Sequence, residues 1–92
     1  NFDLVGKYTE KALKIADSLG LERIKAISLD IKGGMYDELK QPEKAIAYYH
    51  QALKIYTKVN SKNHIAIVSN NLGIAYLNLK KLKTIKSKQI KM

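Results

Sequence analysis

This chain repeats itself at a spacing of 40 residues. Displaced by that amount, the sequence places Tyr8, Ala12, Leu13, Lys14 and Ile15 on Tyr48, Ala52, Leu53, Lys54 and Ile55. The same displacement places Gly33, Tyr36 and Leu39 on Gly73, Tyr76 and Leu79, so two separate stretches agree on one period. A repeat of that length is a supersecondary unit too small to bury its own apolar face, and it must stack on further copies.

Apolar residues within the repeat recur every three or four positions, the spacing of one helical face. Leu4, Tyr8, Ala12, Ile15 and Leu19 predict a helix over about Phe2 to Leu19, closed by Gly20, whose freedom to take positive φ suits a C-terminal cap. Ile24, Ile27, Ile31, Met35 and Leu39 predict a second helix over about Glu22 to Leu39. Pro42 disfavours helix in the residue before it but fits a first turn, so the third helix starts there and runs through Ala45, Tyr49, Ala52, Tyr56 and Val59. Asn60 to Asn63 reads as a turn, with Asn63 as N-cap of a helix carrying Ile65, Val68, Leu72, Tyr76 and Leu79. The tail from Lys80 to Met92 reads as a basic extension or as a fifth helix. Leu79, Leu82, Ile85 and Ile90 within an arc of about 140° favour the helix. The expected fold is all-α, with antiparallel helix pairs, about five helices in all, stacked as a right-handed superhelical solenoid.

With 92 residues the chain is one small domain, and 46% hydrophobic with 27% charged residues is the balance of a folded protein. The absence of cysteine removes disulfides, thiolate metal sites and thiol nucleophiles. No apolar run approaches the roughly 18 residues that span a bilayer. The net charge of +9 is unevenly spread: all eight acids lie at or before Glu43, and nine lysines follow Ala47 with no acid among them. Six of these, Lys80, Lys81, Lys83, Lys86, Lys88 and Lys91, crowd the last thirteen positions.

Leu29, Gly33 and Tyr36, followed by Ala45, Tyr49 and Ala52, resemble the signature of the tetratricopeptide repeat, with Leu72, Gly73 and Tyr76 a second partial copy. Small residues at Gly33, Ala45 and Ala52 let helices approach, and Tyr36 and Tyr49 fill the space between pairs. The 40-residue period is similar to the long variants found in kinesin light chains and bacterial signalling proteins. On this resemblance residues 1–20 are the second helix of an incomplete repeat, 22–60 a complete repeat, and 63–92 a degenerate or truncated one. A start in mid-pattern reads as a fragment of a longer protein. Departures from the pattern are Lys32 where the other copy has Leu72, Ser69 opposite Leu29, Thr9 opposite Tyr49, and Ile85 and Gln89 opposite Ala45 and Tyr49.

The residues offer little chemistry. His50 and His64 stand apart from any metal-pair spacing, the first reading as an exposed helix residue and the second as a turn residue. Asp37 and Glu38 are adjacent on a helix, hence about 100° apart and no acid–base pair. Gly33 and Gly34 precede no phosphate-loop lysine. No enzyme activity, cofactor or metal is expected.

The resemblance implies a binding surface on the first helix of each pair, lining a concave face. By position that face holds Ile27, Asp30, Gly34, Asp37 and Glu38 in one repeat, and Ile67, Asn70, Asn71, Ile74, Leu77 and Asn78 in the next. Asn70 and Asn71 are the leading candidates, because an amide donates and accepts at once. The expected partner is a protein or peptide of neutral or basic character, within a bacterial signalling or scaffold protein. The compartment implied is the cytoplasm, or the periplasm for a sensor. Two alternatives stand beside it. The lysine-rich tail could bind nucleic acid or an anionic surface, although no arginine or interleaved aromatic accompanies its lysines, and an end-cap is the plainer reading. The exposed array ends could also support self-assembly.

Overall fold

The structure is a computed structural model that describes residues 2–91, with the side chains of Leu19 and residues 89–91 excluded. Four helices follow one another: α1 (Phe2–Leu19), α2 (Glu22–Glu38), α3 (Pro42–Lys58) and α4 (Lys62–Lys91). Each helix packs on the next, and α2 also touches α4.

The three corners are built alike. Gly20, Lys40 and Asn60, spaced by 20 residues, have φ of 67°, 61° and 56°. The amides of Leu21, Gln41 and Ser61 reach back to the carbonyls of Ala16, Tyr36 and Tyr56 at 2.8, 2.9 and 3.0 Å. Those of Gly20, Lys40 and Asn60 donate to Asp17, Asp37 and Thr57 at 3.3, 3.1 and 3.1 Å. This paired closure satisfies carbonyls that a helix end would leave orphaned. Only the first corner has the glycine that makes left-handed backbone inexpensive; the others are held by the same main-chain bonds with Lys40 and Asn60 in its place. Pro42 sits in the first turn of α3 as its sequence predicts.

The core lies where α3 is sandwiched. Ala26 and Leu29 of α2, Ala45, Tyr49, Ala52 and Tyr56 of α3, and Val68, Leu72 and Ala75 of α4 form one buried cluster. Alanines at the contact bring the helix axes close, and the tyrosines supply the volume. A Cβ added to Gly33 would come within 2.5 Å of the Tyr49 ring, so the bare backbone of α2 is the seat of that side chain. Tyr36 and Tyr48 stack at 5.4 Å with an interplanar angle of 5°. Lys32 lies 4.8 Å over the Tyr48 ring, and Lys44 5.3 Å over Tyr36. The α1–α2 contact is held by the Lys32–Glu10 ion pair, by Lys25 to Asp17 at 2.9 Å, and by the buried Thr9 and Ala16.

Four helices replace the expected five, because the tail does not fold back. α4 runs unbroken through Lys80, the place of Lys40 in the repeat, where a corner would fall. Leu82 occupies the place of Pro42, so nothing there removes a helical hydrogen bond. Leu82 is half-buried beside a cleft of about 270 Å³ lined also by Lys40 and Pro42, whereas Ile85 is exposed. The tail's apolar arc is therefore only partly used; Ile90 lies outside the described side chains. α4 also begins earlier than expected. Ser61, not Asn63, is its N-cap, since the Ser61 carbonyl accepts from Ile65 at 2.9 Å.

Candidate functional site

In the repeat register read from the sequence α2 and α4 are the first helices of successive pairs, and the face they share is the one that register assigns to binding. Its residues divide into two sets. In the first, side chains turn toward the neighbouring helix. Asn71 donates to Asp30 at 3.3 Å and Asn78 donates to Asp37 at 3.1 Å, all four part-buried. The two bonds are seven residues apart on each helix, two turns, so they form a ladder along the α2–α4 seam. Burial pushes the Asp30 carboxyl above the usual carboxylate range, while the Asn71 bond and the nearby His64 oppose that shift. Tyr49 lies beneath the seam. Its burial, with Asp37, Asp30 and Glu38 close by, raises its hydroxyl to about 12.

The second set faces outward. Ile27 is 41% exposed on α2, and Ile67, Ile74 and Leu77 are 54%, 47% and 53% exposed on α4. Glu38 and Asn70 are exposed beside them. Ile24 and Ile31, which the positional assignment omitted, are exposed on the same side of α2. They flank Ile27 at three- and four-residue steps, a signal present in the sequence but read there only as helix periodicity. Ile85 continues the α4 line, eleven residues after Ile74, also exposed.

The candidate pair Asn70 and Asn71 thus separates. Adjacent residues on a helix diverge by about 100°, and Asn71 is spent on Asp30 while Asn70 remains at the surface. Asp30, Asp37 and Asn78 are likewise engaged within the chain, which leaves an apolar face bordered by a hydrogen-bonded polar seam.

The histidines take other places. His50 is exposed on α3, its Nε2 lying 2.9 Å from the Tyr76 hydroxyl. His64 is not a turn residue: it occupies the first turn of α4, half-buried, stacked on Tyr56 at 4.6 Å and 2.7 Å from Ser61 Oγ. Among the described residues no group of His, Asp and Glu is placed to hold a metal ion. No helix of the described residues is long and apolar enough to cross a membrane. Lys80, Lys81, Lys83, Lys86 and Lys88 are all exposed and spread around the α4 extension; the side chain of Lys91 lies outside the described residues.

A family model described as tetratricopeptide repeat matches residues 25–84. The fold is similar to the solution NMR structure of a designed protein, DA05, with a TM-score of 0.79 and 22% identity over 86% of this chain and 78% of that one. No curated protein matches the chain.

Proposed function

This chain belongs to the tetratricopeptide repeat family, and we propose from that premise that it is a protein–protein interaction module that receives its partner on the outward side of the α2–α4 face. One observation carries the reading: a stripe of exposed isoleucine and leucine side chains, Ile27, Ile31, Ile67, Ile74 and Leu77, flanks a polar seam already satisfied within the chain. Burying the exposed half of such side chains against a partner is worth roughly 0.7–1.5 kcal/mol each before association costs. Their helical spacing suits an amphipathic helix laid along the face, the mode in which apolar anchors dock into a groove. The long-repeat resemblance supports a setting in a bacterial signalling or scaffold protein.

The test begins with selection of binders to the wild-type chain from a displayed random-peptide library, followed by titration of the selected peptides against Ile67→Ser and Ile74→Ser. Both positions are half exposed, so the variants should keep the wild-type melting temperature and lose at least tenfold in affinity, about 1.4 kcal/mol. Peptides that bind both variants as tightly as wild type would place the interaction elsewhere, and a selection that enriches nothing would remove the reading.

A further inference from the structure

The cleft of about 270 Å³ beside Leu82 lies between the α2–α3 corner and the continuation of α4, and four lysines converge on it. Lys40 and Lys44 come from the corner, Lys83 and Lys86 from α4. All four are exposed, and among the described residues none has an ion-pair partner. Glu43 is the one acid in the lining. α4 supplies no other, because every acid of the chain lies at or before Glu43. The apolar part of the lining is Pro42, which is buried, with Leu79 and Leu82, which are half-buried. Lys40 is also the corner residue with φ of 61°, in the place that Gly20 takes at the first corner. Left-handed backbone costs a residue with a Cβ about 1–2 kcal/mol, and a lysine kept where glycine serves the backbone better points to a use for its side chain.

We propose that this cleft binds a compact polyanion of the phosphate class, a phosphate monoester or a diphosphate group. Four ammonium groups around one cleft repel one another, and a single glutamate among them leaves the lining strongly positive. The occupant that relieves this must carry more than one charge in a small space. A phosphate ester brings about −1.5 to −2 at pH 7 on three strong acceptor oxygens, where a peptide of the same bulk places one carboxylate. Lysine suits that ligand, being a compact point charge on a flexible stem that approaches phosphate without the paired geometry arginine imposes. The cleft lies just below the range of about 300–1,000 Å³ usual for small-molecule sites, which is room for a headgroup and not for a folded segment. Pro42, Leu79 and Leu82 keep part of the lining apolar, which weakens screening of the attraction and offers contact to the carbon substituent of an ester. Soluble phosphate compounds and lipid headgroups share this chemistry.

The cleft shares no residue with the proposed peptide-binding stripe, so its test is independent of that reading. Sodium pyrophosphate titrated into the isotope-labelled chain at an ionic strength of about 10 mM should saturate with a Kd of about 1 mM or tighter. The amide resonances that move should be those of residues 40–44 and 79–86. Lys40→Gln and Lys86→Gln each remove one charge from opposite walls, and each should weaken binding about threefold, the worth of an exposed charge pair. Lys81→Gln removes the same charge from α4 outside the cleft, and should bind as wild type does. Phosphatidylcholine vesicles with and without phosphatidic acid separate the two sources. Binding that requires phosphatidic acid and weakens in Lys40→Gln and Lys86→Gln assigns the cleft to a lipid headgroup, and pyrophosphate binding without vesicle binding assigns it to a soluble phosphate compound. Pyrophosphate that fails to saturate by about 10 mM would overturn the proposal. So would an equal loss in Lys81→Gln, which means diffuse charge, or tighter binding of a tetraglutamate peptide than of pyrophosphate.

Discussion

Two glycines at equivalent places in the repeat carry opposite burdens. Gly33 lies against the Tyr49 ring, and a methyl group there would have to displace an aromatic buried between helices. Gly33→Ala should destabilise the chain by about 1–3 kcal/mol, as overpacking does. Gly73→Ala should stabilise it by about 0.5–1 kcal/mol, since the added methyl enters open space and alanine is the better helix former. Urea melts of the two variants should therefore move in opposite directions from wild type. Asp30 offers a second test through pH. Its folded carboxyl is raised above the ordinary value of 3.8 by burial, so the unfolded chain ionises first as pH rises. Its contribution to stability is greatest below that value and declines as pH climbs through the raised folded value. Asp30→Asn retains an acceptor for Asn71 and removes the decline. Its melting temperature relative to wild type should improve between about pH 3 and pH 7, and a difference constant with pH would refute burial of the carboxyl as the cause. Neither effect was legible from residue type: the sequence marks Gly33 and Gly73 as the same signature position, and only the occupant of each notch distinguishes them.

At the scale of the element, corners and helix identities were legible and helix lengths were not. Apolar spacing with Gly20 and Pro42 placed α1, α2 and α3 within a residue or so of their observed bounds, because those residues act through their own backbone. Asn60, a residue type that tolerates left-handed backbone, lies in the stretch read as a turn, whereas Lys40 takes the same geometry without such a signature, held by the Lys40 and Gln41 amides bonding to Asp37 and Tyr36. Lys40→Gly should relieve about 1 kcal/mol of that cost, seen as a higher melting temperature with an unchanged helical signal. A loss of stability would mean that the lysine side chain contributes to the corner. The expected fifth helix is absent for a reason the tail does contain. Without a proline at residue 82, continuing α4 costs nothing, and folding back would set Ile85 where the contact is built for alanine. His64 falls inside α4 because the helix starts at Lys62, earlier than Asn63 suggests, and its ring meets Tyr56.

At the scale of the whole molecule, position in the repeat nominates the side shared by α2 and α4 as the face to test, without giving its chemistry. Position in the repeat put Ile27, Ile67 and Ile74 on the shared side of α2 and α4, but pairing of Asp30 with Asn71 and Asp37 with Asn78 depends on side chains 41 residues apart. No spacing rule within one helix exposes such a match. Asn71→Ala and Asn78→Ala should each cost about 0.5–1.5 kcal/mol of stability, the worth of a part-buried hydrogen bond. In the doubly substituted chain a peptide selected on the wild type should associate more slowly, because the two helices are no longer held in register before it arrives. The seam thereby sets a rate as well as a shape. Two bonds placed two turns apart cannot both survive a slide of one helix along the other, so the walls of the proposed face would already be at their working separation when a partner met them. Association is then governed by encounter and orientation, on the order of 10⁵–10⁷ M⁻¹s⁻¹ for a rigid patch, and the lifetime of a complex rests on how many of the exposed isoleucines the partner covers.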